Sequence, residues 1–288
     1  MKKILIHSNS DKTTMSMITV LDMQTTEDTS VLRRLARQSL ENTASPCFMI
    51  QNFGFEKLLQ SVVKRASVHN NNKVESGSVD SRTHFDLKTS ETENDPMCDE
   101  FRDQMKDLAT RVASILFGDE AVLDVELDGP LSVKSYVGDR RELLESSDRR
   151  ELLESSVSST SSTTNTRLGA HVDGNMFTIL WSNAPGLQVL RHDKDVVADD
   201  IMFYGMPLVG IGPSLEVDEE DFVDVHADWE SGKVMLVTVG RSWFSPSNPL
   251  TKSSDINVKC PVLHRVAFPD RDGERHSVPF LVNVVQRE

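Results

Sequence analysis

The sequence has few of the features that mark several common protein classes. Its 288 residues include only three cysteines, Cys47, Cys98 and Cys260, and none of them belongs to a C-x-x-C pair. This wide spacing indicates neither a disulfide framework nor a thiolate zinc site, and it favours a reducing compartment. No apolar run approaches the length of a membrane span or of a signal-peptide core. We therefore expect a cytoplasmic protein with no membrane partner.

Positive charge is also scarce. The chain carries 31 Lys and Arg residues against 45 Asp and Glu residues, a formal net charge of −14 at pH 7. It has no stripe of basic residues with interleaved aromatic residues that could follow a phosphate backbone. Nucleic acid is therefore not an expected partner. Aromatic residues make up only 6% of the chain and give no indication of a flat polycyclic ligand, and the oligomeric state is not defined.

The N-terminal part of the sequence predicts alternating strands and helices. Apolar residues at three- and four-residue steps predict three amphipathic helices, and compact apolar runs predict two strands. The third helix has the clearest apolar stripe, and a glycine marks its end. In chain order these elements are a strand at 17–22, a helix over 31–40, a strand at Cys47–Ile50, a helix from Phe55 that ends before His69, and a helix from Phe101 to near Gly118.

After about Val122 the pattern changes to short β-strands separated by Gly, Pro, Asn and Asp. Many short strands are typical of a sandwich or a jelly roll. We expect an α+β, mainly β fold in which a strand and helix region, 1–119, precedes a β-rich core, 120–288. The strands predicted in that core include Phe177–Trp181, Gly186–Leu190, Val234–Val239, Val262–Phe268 and Val278–Val285.

Polar segments interrupt this pattern. Residues 67–96 have almost no apolar periodicity, so burial could not offset the entropy of ordering them, and a loop is predicted. Residues 139–166 contain DRRELLESS twice, followed by a Ser-rich tract. Two copies are too few for a solenoid, so this segment is interpreted as a duplication within a surface insert. A second, acidic insert is expected at about 192–228, and an extra segment near 242–258.

Candidate chemistry begins with the motif His-x-Asp. Its two side chains point to the same side of an extended segment and can reach one metal ion. The chain contains three copies, at His84/Asp86, His171/Asp173 and His226/Asp228. The first copy lies in the polar loop, and the third lies in an acidic stretch typical of a solvated surface. Only the second copy directly precedes an apolar β-like run, where a firm scaffold can hold two ligands and Gly174 leaves room beside them.

A third ligand would complete a facial triad of two histidines and one carboxylate, which leaves positions on iron(II) for an organic co-substrate and O₂. His264, in the β-like run CPVLHRVAFPD, is the best candidate. A lone histidine in such a run is more often a core residue. Here, however, Arg275 and Ser277 follow it and share one face of a predicted strand. Their guanidinium and hydroxyl can hold one carboxylate, as expected behind a metal-bound oxo acid.

Together these residues resemble the iron(II)- and 2-oxoglutarate-dependent oxygenases related to isopenicillin N synthase. LGAHVDGNMFTILWSNAPGLQVL looks like the metal segment and its following strands, and VLHRVAFPDRDGERHS looks like the segment of the distal ligand and carboxylate anchor. MITVLDM and CFMIQNFGFEKLL resemble the N-terminal region of that family. LSVKSYVG resembles the strand on which many members place a tyrosine that donates to 2-oxoglutarate, so that Tyr136 would be a third contact.

The resemblance implies a jelly-roll (double-stranded β-helix) core with N-terminal and flanking helices. It implies iron(II) bound by His171, Asp173 and His264, with 2-oxoglutarate and O₂ as co-substrates and ascorbate as an accessory reductant. Arg275 and Ser277 would hold the distal carboxylate of 2-oxoglutarate. Oxidative decarboxylation of that acid would be coupled to hydroxylation, desaturation or ring closure of a small organic substrate.

Three alternatives stay open at this point. One is an iron(II) oxidase of the same fold that does not use 2-oxoglutarate. Another is a catalytically inactive jelly roll that binds a small acid or a partner protein. The third is zinc hydrolysis, because two histidines and a carboxylate also suit zinc with an open position. A zinc hydrolase would lack an obvious glutamate base and would leave Arg275 and Ser277 without a task. The sequence does not identify the substrate.

Overall fold

A computed structural model of the chain was used to locate these residues. It describes residues 3–5, 17–24, 28–41, 46–70, 82–87, 95–136, 166–190, 202–203, 206–207, 222–225, 227–252, 254–267 and 274–286. The duplicated DRRELLESS segment, most of the two predicted inserts and His226 lie outside the described residues.

The described residues form a mixed, largely β structure. Its helices are α1 (Thr29–Glu41), α2 (Glu56–Asn70), α3 (Pro96–Phe117), α4 (Asp119–Val122) and α5 (Pro249–Lys252), and short 3-10 turns lie at Trp229–Ser231 and Arg241–Phe244. Its strands are β1 (Lys3–Leu5), β2 (Met17–Asp22), β3 (Cys47–Gln51), β4 (Arg82–Asp86), β5 (Val125–Asp128), β6 (Ser132–Tyr136), β7 (Thr166–His171), β8 (Phe177–Ser182), β9 (Leu187–Leu190), β10 (Met202–Phe203), β11 (Met206–Pro207), β12 (Phe222–Asp224), β13 (Val234–Val239), β14 (His264–Ala267) and β15 (Arg275–Gln286).

Most of these strands belong to two sheets. The large sheet has the order β1-β2-β3-β13-β8-β15-β6-β4, and β5 pairs with the end of β15. The small sheet has the order β12-β9-β14-β7, and β10 and β11 form a separate hairpin. Among the described pairs, only β2 and β3 run parallel. The N-terminal strands thus extend the same sheet that contains the C-terminal strand β15.

One apolar cluster joins the two sheets. It combines side chains of β2, β3 and β13 from the large sheet with side chains of β9, β12 and β14 from the small sheet. Its largest member, Trp229, is 2% exposed, and its indole Nε1 donates to the carbonyl oxygen of Val225 at 3.2 Å. Burial of each such side chain stabilises the fold by roughly 1.5–3 kcal/mol. The sheets therefore pack face to face over this cluster.

A second apolar cluster lies on the other face of the large sheet, where the three long helices pack. Asp95 caps the N-terminus of helix α3, and its side chain accepts a hydrogen bond from the Met97 amide at 3.1 Å. Gly118 caps the C-terminus of the helix. These are favourable residues for the two ends of a helix, because a short acidic side chain satisfies a free amide and glycine tolerates the left-handed half of backbone space. No described helix has both the length and the apolar character needed to cross a membrane.

The elements predicted from periodicity are largely confirmed. Strand 17–22 is β2, the stripe over 31–40 lies in α1, and Cys47–Ile50 lies in β3. The apolar runs after Val122 likewise form β8, β9, β13, β14 and β15. Each of these segments buries a full face or stripe within one stretch of sequence, so its own pattern is sufficient to predict it.

The loop predicted over 67–96 is wrong in two places. Helix α2 continues through His69 to Asn70, and Arg82–Asp86 forms β4. Strand β4 pairs with β6 at the edge of the large sheet and buries Phe85, with Leu87 buried just after it. Two apolar residues are too few to produce a detectable hydrophobic periodicity. The backbone pairing that stabilises β4 comes from β6, which lies far away in the sequence.

The acidic insert predicted at 192–228 ends earlier than expected. Phe222–Asp224 forms β12, which pairs with β9 in the small sheet. Val223 and Val225 are buried, whereas Asp224 between them is exposed. The strand therefore follows the usual alternation, but the surrounding acidic residues hide it in the sequence.

The long strand β15 has different chemistry on its two faces, because side chains alternate along a strand. Val278, Phe280 and Val282 are fully buried in the cluster under the helices. His276 is the next alternate residue and is 7% exposed. The opposite face of the strand carries Arg275, which is also buried.

His276 is held by hydroxyl groups behind the sheet. Its Nδ1 lies 2.8 Å from Oγ of Ser135, and its Nε2 lies 3.2 Å from Oγ of Ser67 in α2. Burial lowers the pKa of His276, and the nearby Glu274 carboxylate opposes this change only in part. The neutral imidazole is therefore the form that the folded chain favours.

Acidification should accordingly destabilise the fold through His276. Because its folded pKa lies below the ordinary value of 6.5, its contribution is fully present above that pH and is lost as the pH falls through the folded pKa. His276→Gln keeps a hydrogen-bonding side chain but cannot take up the proton. Urea unfolding between about pH 5 and 7.5 should show a steeper loss of stability for the natural chain than for the variant. Parallel pH profiles would contradict this assignment.

Candidate active site

Two histidines meet where β7 and β14 pair in the small sheet. His171 is the last residue of β7, and His264 is the first residue of β14. The antiparallel register places them directly opposite each other, with ring centroids 4.3 Å apart. His264 is 7% exposed and His171 is half-buried. Residues predicted from two separate motifs are thus brought together by one strand pair.

Asp173 completes this cluster. Its Oδ1 lies 3.8 Å from Nε2 of His171, and its Oδ2 lies 3.9 Å from Nε2 of His264. One nitrogen or oxygen atom from each of the three residues lies within 4.8 Å of the other two. Two imidazoles and one carboxylate are a donor set that suits a divalent first-row metal with open positions. The cluster therefore fits the metal that the sequence predicts.

Hydrogen bonds orient two members of the cluster. Nδ1 of His264 lies 3.1 Å from the carbonyl oxygen of Val262, which favours the tautomer with the proton on Nδ1. The lone pair of Nε2 then points toward Asp173. Thr178 of β8 donates its hydroxyl proton to Oδ2 of Asp173 at 2.5 Å. Such contacts behind the ligand atoms fix ring and carboxylate orientation.

The backbone around Asp173 is held by a neighbouring turn. The amide of Arg241 donates to the carbonyl oxygen of Asp173 at 2.8 Å, and the amide of Ser242 donates to that of Asn175 at 3.0 Å. A Cβ atom on Gly240 would lie 2.2 Å from the carbonyl oxygen of Asn175. Only glycine permits this close approach. By contrast, a Cβ on Gly174 would meet nothing within 4 Å, so there is open space at this residue beside Asp173.

The charge of Asp173 is favoured by its surroundings. Burial alone would raise the pKa of this carboxyl group, but His264, the hydroxyl of Thr178, His171 and Lys134 together outweigh burial. The net effect is a pKa below the ordinary value for aspartate. The carboxylate is therefore negatively charged at neutral pH and ready to bind a cation.

The cluster opens into a pocket between the two sheets. Residues of β6, β7, β8, β9, β14 and β15 line this pocket. Its apolar lining residues are Leu168, Leu180, Leu187, Val266 and Pro279, and the other lining residues carry polar or charged groups. Polar groups that converge beside apolar side chains are typical of a site for a small organic ligand.

Arg275 and Ser277 lie in the same pocket as the cluster, as the sequence predicts. Arg275 is 1% exposed and Ser277 is 3% exposed. The register pairs Arg275 with Tyr136 of β6, and the guanidinium carbon lies 5.2 Å from the centre of the tyrosine ring. Tyr136 also lines the pocket. All three residues expected to bind the distal carboxylate thus lie in one pocket.

The other two His-x-Asp motifs differ from this one. His84 is exposed on the edge strand β4. Asp228 is exposed, and its partner His226 lies outside the described residues. Among the residues that the structure describes, His171, Asp173 and His264 form the one group of three or more such side chains placed to share a metal ion.

Two further pocket residues were not predicted from the sequence. Lys134 lies two positions before Tyr136 on β6, so the alternation of that strand is a signal that could have identified it. Thr178 lies in the strand after Asp173, and the sequence gives no sign that its hydroxyl turns back to the carboxylate.

The sequence matches no protein-family model and no curated protein to a significant degree. Solved structures with similar folds are nevertheless found. T7H of Neurospora crassa, solved with α-KG and 5-formyluracil, is 13% identical, with a TM-score of 0.57 over 93% of this chain and 84% of that one. Dioxygenase for auxin oxidation 1 of Arabidopsis thaliana, solved with 2-oxoglutarate, is 13% identical, with a TM-score of 0.54 over 93% of both chains.

A further similar structure is JOX2, solved with 2OG, Fe and JA. It is 16% identical, with a TM-score of 0.55 over 92% of this chain and 74% of that one. All three are solved with 2-oxoglutarate, which is named α-KG for T7H and 2OG for JOX2, and JOX2 is also solved with Fe. At such low identity the likeness concerns the fold. The chain therefore has the fold of these proteins solved with 2-oxoglutarate, one of which is a dioxygenase.

Proposed function

We propose that this chain is an iron(II)- and 2-oxoglutarate-dependent oxygenase acting on a small organic substrate. The observation that carries the proposal is the presence of two sites in one pocket. A cluster of two imidazoles and one carboxylate lies at one part of it, and the buried pair Arg275 and Ser277 lies at another. The shared fold with oxygenases solved with 2-oxoglutarate supports this interpretation. The two facing sheets would be the two sides of a jelly roll within residues 120–288, supported by region 1–119.

His171, Asp173 and His264 would hold iron(II). Imidazole and carboxylate are ligands that this metal accepts, and three protein ligands leave positions open for co-substrate and O₂. With these co-substrates, iron supplies the oxidation of a C–H bond: the substrate, 2-oxoglutarate and O₂ give the hydroxylated substrate, succinate and CO₂. The chain supplies placement, and Thr178 and Val262 hold two of the ligands in orientation.

Arg275, Ser277 and Tyr136 would bind the distal carboxylate of 2-oxoglutarate. The guanidinium is buried and planar, and it offers paired donors that match a carboxylate. The hydroxyls of Ser277 and Tyr136 can add two further donors. Because these residues belong to the large sheet and two of the metal ligands belong to strands of the small sheet, a ligand that joins them must span the space between the sheets.

The apolar walls of the pocket would exclude water around the reacting atoms. Leu168, Leu180, Leu187 and Val266 line the same pocket as the cluster. Exclusion of water protects a strong oxidant from side reactions, and it leaves the nearest C–H bond of the substrate as the position of attack. Hydroxylation is the simplest outcome, and desaturation or ring closure would use the same placement.

The metal assignment predicts that Asp173→Ala and His264→Ala lose both bound iron and 2-oxoglutarate-dependent succinate formation. The reason is that two remaining ligands cannot hold the ion against water. Iron content after anaerobic reconstitution and succinate release on exposure to O₂ measure the two losses. His84→Ala is the matched control, because it removes the histidine of another His-x-Asp motif from an exposed edge strand. Equal loss of iron in His84→Ala, or full iron content in Asp173→Ala, would contradict the assignment.

The anchor assignment predicts that Arg275→Met weakens 2-oxoglutarate binding by about tenfold or more, because a charge-assisted contact of roughly 1.5–3 kcal/mol is lost. Calorimetric titration of the protein loaded with zinc(II), which does not turn over, measures this affinity. Metal content should stay unchanged. Arg65→Met, which changes a half-exposed arginine outside the pocket, is the control. Unchanged affinity in folded Arg275→Met would contradict the anchor assignment.

A further inference from the structure

Asn175 is a buried polar residue in the turn that joins β7 to β8. It lies two positions after Asp173, and it is 4% exposed. Thr178 lines the pocket, whereas Asn175 does not, so Asn175 would not touch a bound ligand directly. A buried amide group costs free energy unless its polar atoms form hydrogen bonds. The hydrogen bonds of this side chain therefore indicate what the residue contributes.

The amide group of Asn175 has one favoured orientation. Its Nδ2 donates to the carbonyl oxygen of Phe177, and that oxygen can only accept a hydrogen bond. Turning the amide over would place two acceptors against each other, so the nitrogen is the atom on this side. Nδ2 also donates to Oγ1 of Thr178 at 3.1 Å. Both amide protons of Asn175 are thus used by the strand that follows the turn.

This amide determines the direction in which the Thr178 hydroxyl donates. A hydroxyl group has one proton to give and can accept two hydrogen bonds. Two acceptors lie near its oxygen, Oδ2 of Asp173 at 2.5 Å and Oδ1 of Asn175 at 3.4 Å. Because Nδ2 of Asn175 donates to the hydroxyl oxygen, the hydroxyl proton is directed to the closer, charged acceptor. Thr178 is 2% exposed, so water has little access to this contact.

The main chain of Asn175 is held as well. Its carbonyl oxygen accepts a hydrogen bond from the amide of Ser242 at 3.0 Å. The next carbonyl oxygen, that of Met176, accepts from the amide of Gly240 at 2.9 Å. Asn175 therefore connects the turn after β13 to Thr178 in β8. Its side chain cannot shift without breaking a bond to one of these two elements.

We propose that Asn175 is a positioning residue that acts on Asp173 through Thr178. This inference rests on the proposed function, in which Asp173 is a metal ligand. Nδ2 of Asn175 holds the Thr178 hydroxyl, and that hydroxyl holds Oδ2 of Asp173. The carboxylate is thus oriented by the fold before a metal binds. Groups that orient a metal ligand in this way commonly change metal affinity by about 10- to 100-fold.

A rival explanation gives Asn175 a local role alone. Asparagine is common in turns because its side chain bonds to the backbone nearby, and its bond to the Phe177 carbonyl oxygen is of this kind. On that explanation the loss of the amide would disturb the turn whether or not Thr178 carries a hydroxyl. On the present proposal the loss matters to Asp173 only while the Thr178 hydroxyl is there to transmit it.

A double-mutant cycle separates these two explanations. Asn175→Leu keeps the number of side-chain heavy atoms and removes the amide, and Thr178→Val removes the hydroxyl. The zinc(II) affinity of the full chain is measured by competition with a chromophoric chelator, without 2-oxoglutarate or turnover. We expect each single variant to bind zinc(II) about tenfold more weakly than the natural chain. The double variant should also lose only about tenfold, because either change breaks the same chain of hydrogen bonds.

Three further variants serve as controls. Thr178→Ser retains the hydroxyl and should restore most of the zinc(II) affinity that Thr178→Val loses. Val112→Ala removes apolar volume from the buried face of α3, and it should lower the unfolding temperature without changing zinc(II) affinity. Asn175→Ala removes the amide without adding apolar volume, and it takes the place of Asn175→Leu in the cycle if the leucine variant does not fold.

The other outcomes overturn the inference in distinguishable ways. Unchanged zinc(II) affinity in Asn175→Leu would reject the role of Asn175 and leave the proposed function intact. A loss of about a hundredfold in the double variant would show that Asn175 acts independently of Thr178, as its local role in the turn predicts. An equal loss of affinity in Val112→Ala would assign the effect to general instability. Failure of the natural chain to bind zinc(II) would reject the metal site, and with it both the proposed function and the inference.

Discussion

The register of β14 against β7 is the constraint on which the candidate site depends. It sets His264 opposite His171, and a slip of one residue would turn His264 to the other face of the sheet. Packing opposes that slip. Val262 and Val266 lie two positions either side of His264 and are buried in the cluster between the sheets. Arg265 points the other way, with its guanidinium 4.1 Å from the ring centre of Phe222. A shift by one residue would move Val262 and Val266 out of the cluster between the sheets and turn the charged Arg265 into it. The apolar core thus fixes the position of His264.

In the large sheet, the burial of apolar residues likewise fixes which polar side chains face the other part of the pocket. The alternate residues of β15 place Val278, Phe280 and Val282 under the helices, and this requirement turns Arg275 and Ser277 toward the small sheet. Pairing with β6 then brings Tyr136 and Lys134 alongside them. Burying these cations and Asp173 costs stability, because each charge leaves water. A bound metal and a charged ligand would offset that cost by pairing with the buried charges. The separation between the two parts is set by the packing of one sheet on the other, so the fold would set the length of any ligand that bridged them.

The sequence alone predicted much of this because the relevant signals are local. Helices α1 and α3 and strands such as β13 bury a face within one segment, and the ligand pair His171 and Asp173 sits beside an apolar run. Where the signal depends on a distant partner, prediction failed. Among the side chains of β4 whose burial is described, Phe85 is the buried one, and the strand exists through its pairing with β6. Strand β12 alternates correctly, but the acidic residues around it hide the pattern. Thr178 was missed because its contact with Asp173 depends on how the chain turns between them.

The low identity of 13–16% to structures with similar folds has a physical explanation in the two faces of these strands. The face under the helices needs only apolar volume, which many combinations of side chains supply. The pocket face would need particular groups at particular registers if it binds a carboxylate and a metal as proposed, because both are bound through geometry. A sequence with this fold can therefore change at most of its core positions, and only a few alternate residues on β6, β7, β14 and β15 would be constrained by the proposed chemistry.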